Sequence, residues 1–287
     1  MEDIDIFRTK LKKLSPQTPR EVASISISEN PKLNTLENCP EIVHGNFSLD
    51  SSAISSLQYC PRIVEGNFVF QGNKKFTSID YLPEYIGGDI DFTKNRITTL
   101  KGSPCKTNGG FRVTGNKLSS LEYSPEYVEG SFDVACNYLT SLEGGPKEVN
   151  SYYSCDFNKL TSLKGSPEKV NTFMCGFNKL SSLADGPVVC YGTFYCAYNP
   201  IKSLEDSSLK GTYNFNCSHC HLTSLSGAPS IVENSLDLSH NKRLPEYKIK
   251  AYEAYLNLQD EKLKDSLTKD DRYFPTKDWE KSFKEQK

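Results

Sequence analysis

The residues with the clearest capacity for chemistry are Cys217, His219, Cys220 and His221, which spell C-x-x-C-H. That spacing serves covalent c-type haem attachment, and it supplies half of a zinc site. Tetrahedral zinc needs four ligands, and the second pair is missing. Haem attachment needs an exported chain. Both thiols also fall in register with a repeat, described next, which already gives each a structural place. Phosphate-binding G-x-x-x-x-G-K-[ST], the G-x-S-x-G elbow and H-E-x-x-H are absent. The chain therefore reads as non-enzymatic, with no catalytic residues, no metal and no cofactor; a Cys/His metal-binding protein is the remote alternative.

The elements that would position these residues are repeats. From Asn116 the sequence reads NKLSSLEYSPEYVEGSFDVAC, then NYLTSLEGGPKEVNSYYSCDF, then NKLTSLKGSPEKVNTFMCGF, with steps of 21, 21 and 20 residues. The consensus is N-x-L-[ST]-[ST]-L-x-x-x-P-x-x-V, a spacer, then aromatic-x-[VC]-x-x-N. Self-similarity at this period is the mark of a solenoid, and F-x-V-x-x-N-x-L matches the leucine-rich-repeat signature. The asparagine place is filled at Asn30, Ser52, Asn73, Asn95, Asn116, Asn137, Asn158, Asn178, Asn199, Cys220 and Asn241.

On these motifs the chain resembles the short leucine-rich repeats of bacterial effectors, and more closely the N-K-L-T-S-L-x-G-x-P arrays of tailed phages. The resemblance covers about four-fifths of the sequence. It implies an α/β repeat fold, a leucine-rich-repeat solenoid with one parallel β-sheet of about ten strands and helical caps at both ends. Repeat arrays share a scaffold and not a target, so the resemblance says little about function. Effector-type proteins can carry a ubiquitin-ligase domain after the repeats, and the residues after Pro245 are too few for one.

Three segments follow. Residues 1–18 are expected to be an N-terminal helical cap, from Ile4, Phe7, Leu11 and Leu14 at helical spacing. Residues 19–244 are the array. Residues 245–287 are a C-terminal helical cap, with Ile249, Tyr252, Leu256, Leu263 and Leu267 on one stripe and Trp279 and Phe283 on a second short helix. The acids in MEDIDIFRTKLKK are unlike the basic start of a secretory signal, so the expected compartment is the cytoplasm, or the host cytoplasm for a phage-encoded chain.

Inside the array, Phe47, Phe68, Ile90, Phe111, Phe132, Tyr153, Phe173, Phe194, Phe215 and Leu236 are expected to form one inward spine, with paired leucines such as Leu118 and Leu121 opposite. Cys155, Cys175, Cys196 and Cys217 take the second inward place, used by Val113 and Val134 earlier, so they read as small buried hydrophobes. Side chains alternate across a strand, and the residues before each asparagine change character midway. Small or charged residues give way to Phe157, Phe177, Tyr198, His219 and His240, with Tyr152, Met174 and Tyr195 beside them. These eight form the candidate partner-binding surface, the competing reading being a ladder of rings that pack on one another. Glu29, Asp50, Asp89, Asp91, Asp133 and Asp156 make the earlier half acidic.

A formal net charge of −2 gives no global attraction to nucleic acid, and no run is long enough for a membrane-spanning helix. The expected partner is therefore a protein, with neither nucleic acid nor membrane involved. The alternative is a structural virion or assembly protein that uses the array as a rigid spacer. The cysteine reading has a direct check. Thiol titration of denatured protein prepared without reductant should find most of the ten cysteines free, and mostly disulfides would reverse both their role and the compartment.

Overall fold

The computed structural model describes residues 1–267, with side chains described as far as residue 257. The proposed second C-terminal segment with Trp279 and Phe283 lies outside the described residues. The chain is a parallel β-solenoid. Each turn adds one short strand to a sheet that starts at Ile4–Phe7 and ends at Ile231–Asp237, twelve strands in sequence order against the expected ten or so, with the corner strand Lys169–Val170 joining as a thirteenth and every described pair parallel. Strands pair across one turn, as in Phe111↔Phe132 and Phe132↔Tyr153.

The spine stands where expected. Phe47, Phe68, Phe111, Phe132, Tyr153, Phe173, Phe194 and Phe215 are fully buried, Ile90 nearly so, and Leu236 is partly buried at the end. Neighbouring rings from Phe111 to Phe215 lie 5.1–6.1 Å apart. Burying a phenylalanine is worth about 1.5–3 kcal/mol, so the spine is a main source of cohesion. Ile90 interrupts it, and there Phe70, Phe76 and Phe92 crowd in behind Phe68. All ten cysteines are free. Cys155, Cys175, Cys196 and Cys217 are buried in the second inward row.

A second ladder was not foreseen. At the P-x-x-V corner, two-residue strands pair from turn to turn: Glu21–Val22, Ile42–Val43, Ile63–Val64 and Tyr85–Ile86 in one group, then Lys106–Thr107, Tyr127–Val128 and Glu148–Val149. Toward the C-terminus the two ladders merge into the longer strands Val189–Tyr195, Gly211–Asn216 and Ile231–Asp237.

The N-terminal helical cap is wrong. Ile4–Phe7 is a strand that pairs with Ile25–Ser28. Residues 4–14 are a divergent repeat: Ile4-x-Ile6-x-x-Thr9-x-Leu11-x-x-Leu14, with Thr9 in the asparagine place. Thr9 offers its backbone N–H and hydroxyl to Asn30 Oδ1 at 2.8 and 2.6 Å. Phe7 and Leu11, counted toward a helical stripe, are exposed, while Ile4, Ile6 and Leu14 face the core. Pairing with the next turn satisfies the backbone of this short segment, whereas an isolated helix this short is marginal. At the other end a helix does form, Glu246–Leu267. Ile249 and Tyr252 pack on the last turn, and the Tyr252 hydroxyl donates to Pro229 O at 2.5 Å.

Turns are fastened to one another by the asparagines. Asn137 is representative. Its Nδ2 donates to Val113 O on the preceding turn and to Val134 O on its own, both at 3.0 Å. Its Oδ1 accepts the N–H of Leu118, again on the preceding turn, at 3.0 Å. Asn116, Asn158, Asn178 and Asn199 repeat the pattern.

Asn158→Ala should strand the Leu139 N–H and the Val134 and Cys155 carbonyls in the core. With about 1–3 kcal/mol per orphaned buried group, the expected loss is about 3 kcal/mol or more. Equilibrium urea unfolding measures it, and Asn158→Cys should lose less, because Cys220 already serves in that place.

Candidate functional site

One backbone fact governs the outer edge of the sheet. In every turn the residue before the asparagine place is left-handed, from Arg8 (φ 50°) through Lys94 (59°) and Cys136 (56°) to His240 (60°). Gly72 and Gly115 occupy the same place at φ 65° and 69°. Glycine adopts this conformation without penalty, while a residue with a Cβ loses about 1–2 kcal/mol there. Yet the last five turns put large rings on it: Phe157, Phe177, Tyr198, His219 and His240.

Those rings are stacked. Phe157–Phe177, Phe177–Tyr198 and Tyr198–His219 have centroids 4.2 Å apart with planes within 12°, and His219–His240 are 4.0 Å apart. Phe157, Phe177 and Tyr198 remain 52, 36 and 42% exposed. The rings therefore pack on one another by their faces, as the ladder reading has it, and leave their edges exposed. A stacked pair gains about 0.5–1.5 kcal/mol, which roughly offsets the left-handed strain and leaves little net stability.

The flanking candidates are less exposed. Tyr152, Met174 and Tyr195 are half-buried on the strands. Tyr152 is hydrogen-bonded to Arg112, whose guanidinium also reaches Asp89 at 2.8 Å. The Tyr195 ring lies across Gly176, so close that a Cβ there would sit 2.3 Å from it. Beneath that ring the Gly176 N–H donates to Asp156 Oδ1 at 2.6 Å. Burial pushes the Asp156 carboxyl up to about 6, the Gly176 bond opposes the rise, and the neighbouring Asp133 charge adds to it.

Of the acidic half, Glu29 and Asp89 are neutralised by Arg8 and Arg112. Among the described residues no Lys or Arg pairs with Asp133 or Asp156. At the C-x-x-C-H stretch the Cys217 and Cys220 sulfurs lie 3.6 Å apart and buried, His219 belongs to the ring stack, and His221 is exposed. Among the described residues no three His, Cys, Asp or Glu side chains converge on one point.

A second exposed aromatic group was missed. Tyr59, Tyr81 and Tyr123 are also left-handed, at 68–69°, and with Tyr85 and Tyr127 are well exposed beside the proline corner. The recurring [LI]-x-Y-x-P and P-E-Y carried the signal.

No protein-family model matches the chain, and no curated protein matches it. Among solved structures it is similar to YopM from Yersinia enterocolitica WA-314, with 20% identity over 77% of this chain and 60% of that one, at a TM-score of 0.42. The chain thus spans less than two thirds of that protein.

The Asp156 environment has a measurable consequence. A carboxyl held near 6 in the fold, against an ordinary 3.8, makes the fold lose stability as pH rises from about 4 to about 6. Asp156→Asn keeps an acceptor for Gly176 and carries no charge. It should gain about 2 kcal/mol at pH 7, discounted for partial exposure, and gain nothing below pH 4. Denaturant titrations at the two pH values test this, and an equal effect at both would refute it.

Proposed function

We propose that this chain is a non-enzymatic protein-binding module, phage or bacterial in origin and active in the cytoplasm, which engages a host or cellular protein through its exposed sheet face. The observation that supports the reading most is the choice of side chain on the left-handed edge. Five successive turns carry rings where glycine fits without strain, and stacking only about cancels that strain. Stability alone therefore gives little reason for rings there, and binding gives one.

The stack suits that role physically. Rings fixed by their neighbours on both faces lose little freedom when a partner docks, which lowers the entropic cost of association. Contiguous exposed aromatic surface marks interaction sites, and rigid aromatic anchors commonly carry about 2 kcal/mol or more each. The alternative, a rigid spacer in an assembly, draws its support from the asparagine fastening between turns. Copy number in purified particles separates the two.

Glycine is the informative substitution, because it removes the ring and the strain together. The Phe177→Gly/Tyr198→Gly double variant should unfold within about 1–2 kcal/mol of the parent while losing partner protein captured from a lysate of the relevant cells. Phe177→Ala keeps the strain and should be the less stable single change. Undiminished capture by the folded glycine variant would remove the stack from the binding surface.

A further inference from the structure

The ring stack is open at its Phe157 end. His240, His219, Tyr198 and Phe177 follow one another without a gap, and Phe157 presents its other face toward the preceding turn. There the equivalent places are held by Cys136 and then Gly115, which are too small to continue the stack. Lys94 takes the place after Gly115, its stem against that glycine. The stack therefore ends at Phe157 in a step down to Cys136 and Gly115, hereafter the slot.

Its charge is as specific as its shape. Asp133 and Asp156 flank Cys136 closely enough that burial and both carboxylates raise its thiol pKa. Asp133 Oδ1 accepts the Ala135 N–H and Asp156 Oδ1 accepts the Gly176 N–H. Both are half-buried and, as noted, without a cationic partner among the described residues.

We infer that this slot receives an arginine side chain of the partner protein, its guanidinium lying flat on Phe157 above Cys136 and paired with Asp133 and Asp156. A guanidinium is planar, stacks on aromatic faces, and offers donors in a fork that matches carboxylates. An ammonium cannot lie flat on the ring while bonding two acids. A nucleobase could stack, but its phosphates would meet Asp133 and Asp156. The inference rests on the binding reading above for the partner being a protein, and it extends that reading to the end of the stack.

The test uses the full chain and two capped tripeptides, acetyl-Gly-Arg-Gly-amide and acetyl-Gly-Lys-Gly-amide, followed by shifts of the Phe157 and Cys136 NMR signals. The arginine peptide should bind saturably, at least tenfold more tightly than the lysine peptide. Asp133→Asn/Asp156→Asn should weaken it at least tenfold. Cys136→Phe should abolish it by filling the slot with a sixth ring, on a backbone that already accepts Phe in the equivalent places. Equal binding of the two peptides, no binding, or unchanged binding by folded Cys136→Phe would overturn the inference. Phe177→Gly/Tyr198→Gly leaves the slot's own residues in place, so loss of capture with that variant concerns the stack. The slot can thus fail while the stack reading stands.

Discussion

The hydrogen bonds of one side chain, asparagine, set the geometry on which everything else in this molecule depends. Each turn leaves a loop just after its strand, where amide and carbonyl groups point into the core. An asparagine offers donor and acceptor together, so one residue satisfies its own turn and the turn before it. To aim that amide inward, the backbone immediately before it turns left-handed, and the side chain at that point is directed to the outer edge. The edge aromatics are therefore displayed by the same turn that fastens the core.

The rings illustrate how strain and attraction can cancel in folding and still matter for function. Taken singly, a left-handed phenylalanine is unfavourable. Taken in a column, each ring recovers the difference from its neighbours. Stability then constrains the identity of these residues weakly, and the earlier turns, with Gly72, Gly115 and Lys94 in the same place, are built on the same scaffold without rings. Asp156 follows a similar logic, being a carboxylate kept charged at neutral pH under the Tyr195 ring at a cost to the fold.

Most of the architecture was legible because the repeat is written in residue types that only one geometry satisfies. The spine, the inward cysteines and the asparagine row could be assigned place by place. The N-terminus was misread because Ile4, Phe7, Leu11 and Leu14 satisfy a helical spacing as well as a repeat, and Thr9 disguises the asparagine place. The corner ladder was invisible because two-residue strands carry no periodicity. At the site, the row of five rings was readable and a packed ladder was one of its two readings, but the left-handed backbone beneath it was not. Nor was the repulsion between Asp133 and Asp156, which lie 23 residues apart and come near each other only when adjacent turns stack.

Past Thr9 in the first turn, the asparagine row has two substitutes, and they divide the solenoid mechanically. Ser52 donates to Asn73 on the next turn and accepts the Ile54 N–H of its own, and Cys220 reaches the preceding turn through a weak sulfur contact of 3.5 Å to Cys196 O. Under tension applied at the two ends, these are the seams with the least resistance to shear. Between them, Asn73 to Asn199 form an unbroken series of rivets. The first three rings of the stack, Phe157, Phe177 and Tyr198, ride on that continuous segment, while His219 and His240 belong to the turns at and beyond the second seam. A load borne by the partner would thus be carried by the stiffest part of the molecule, with the terminal turns free to yield first.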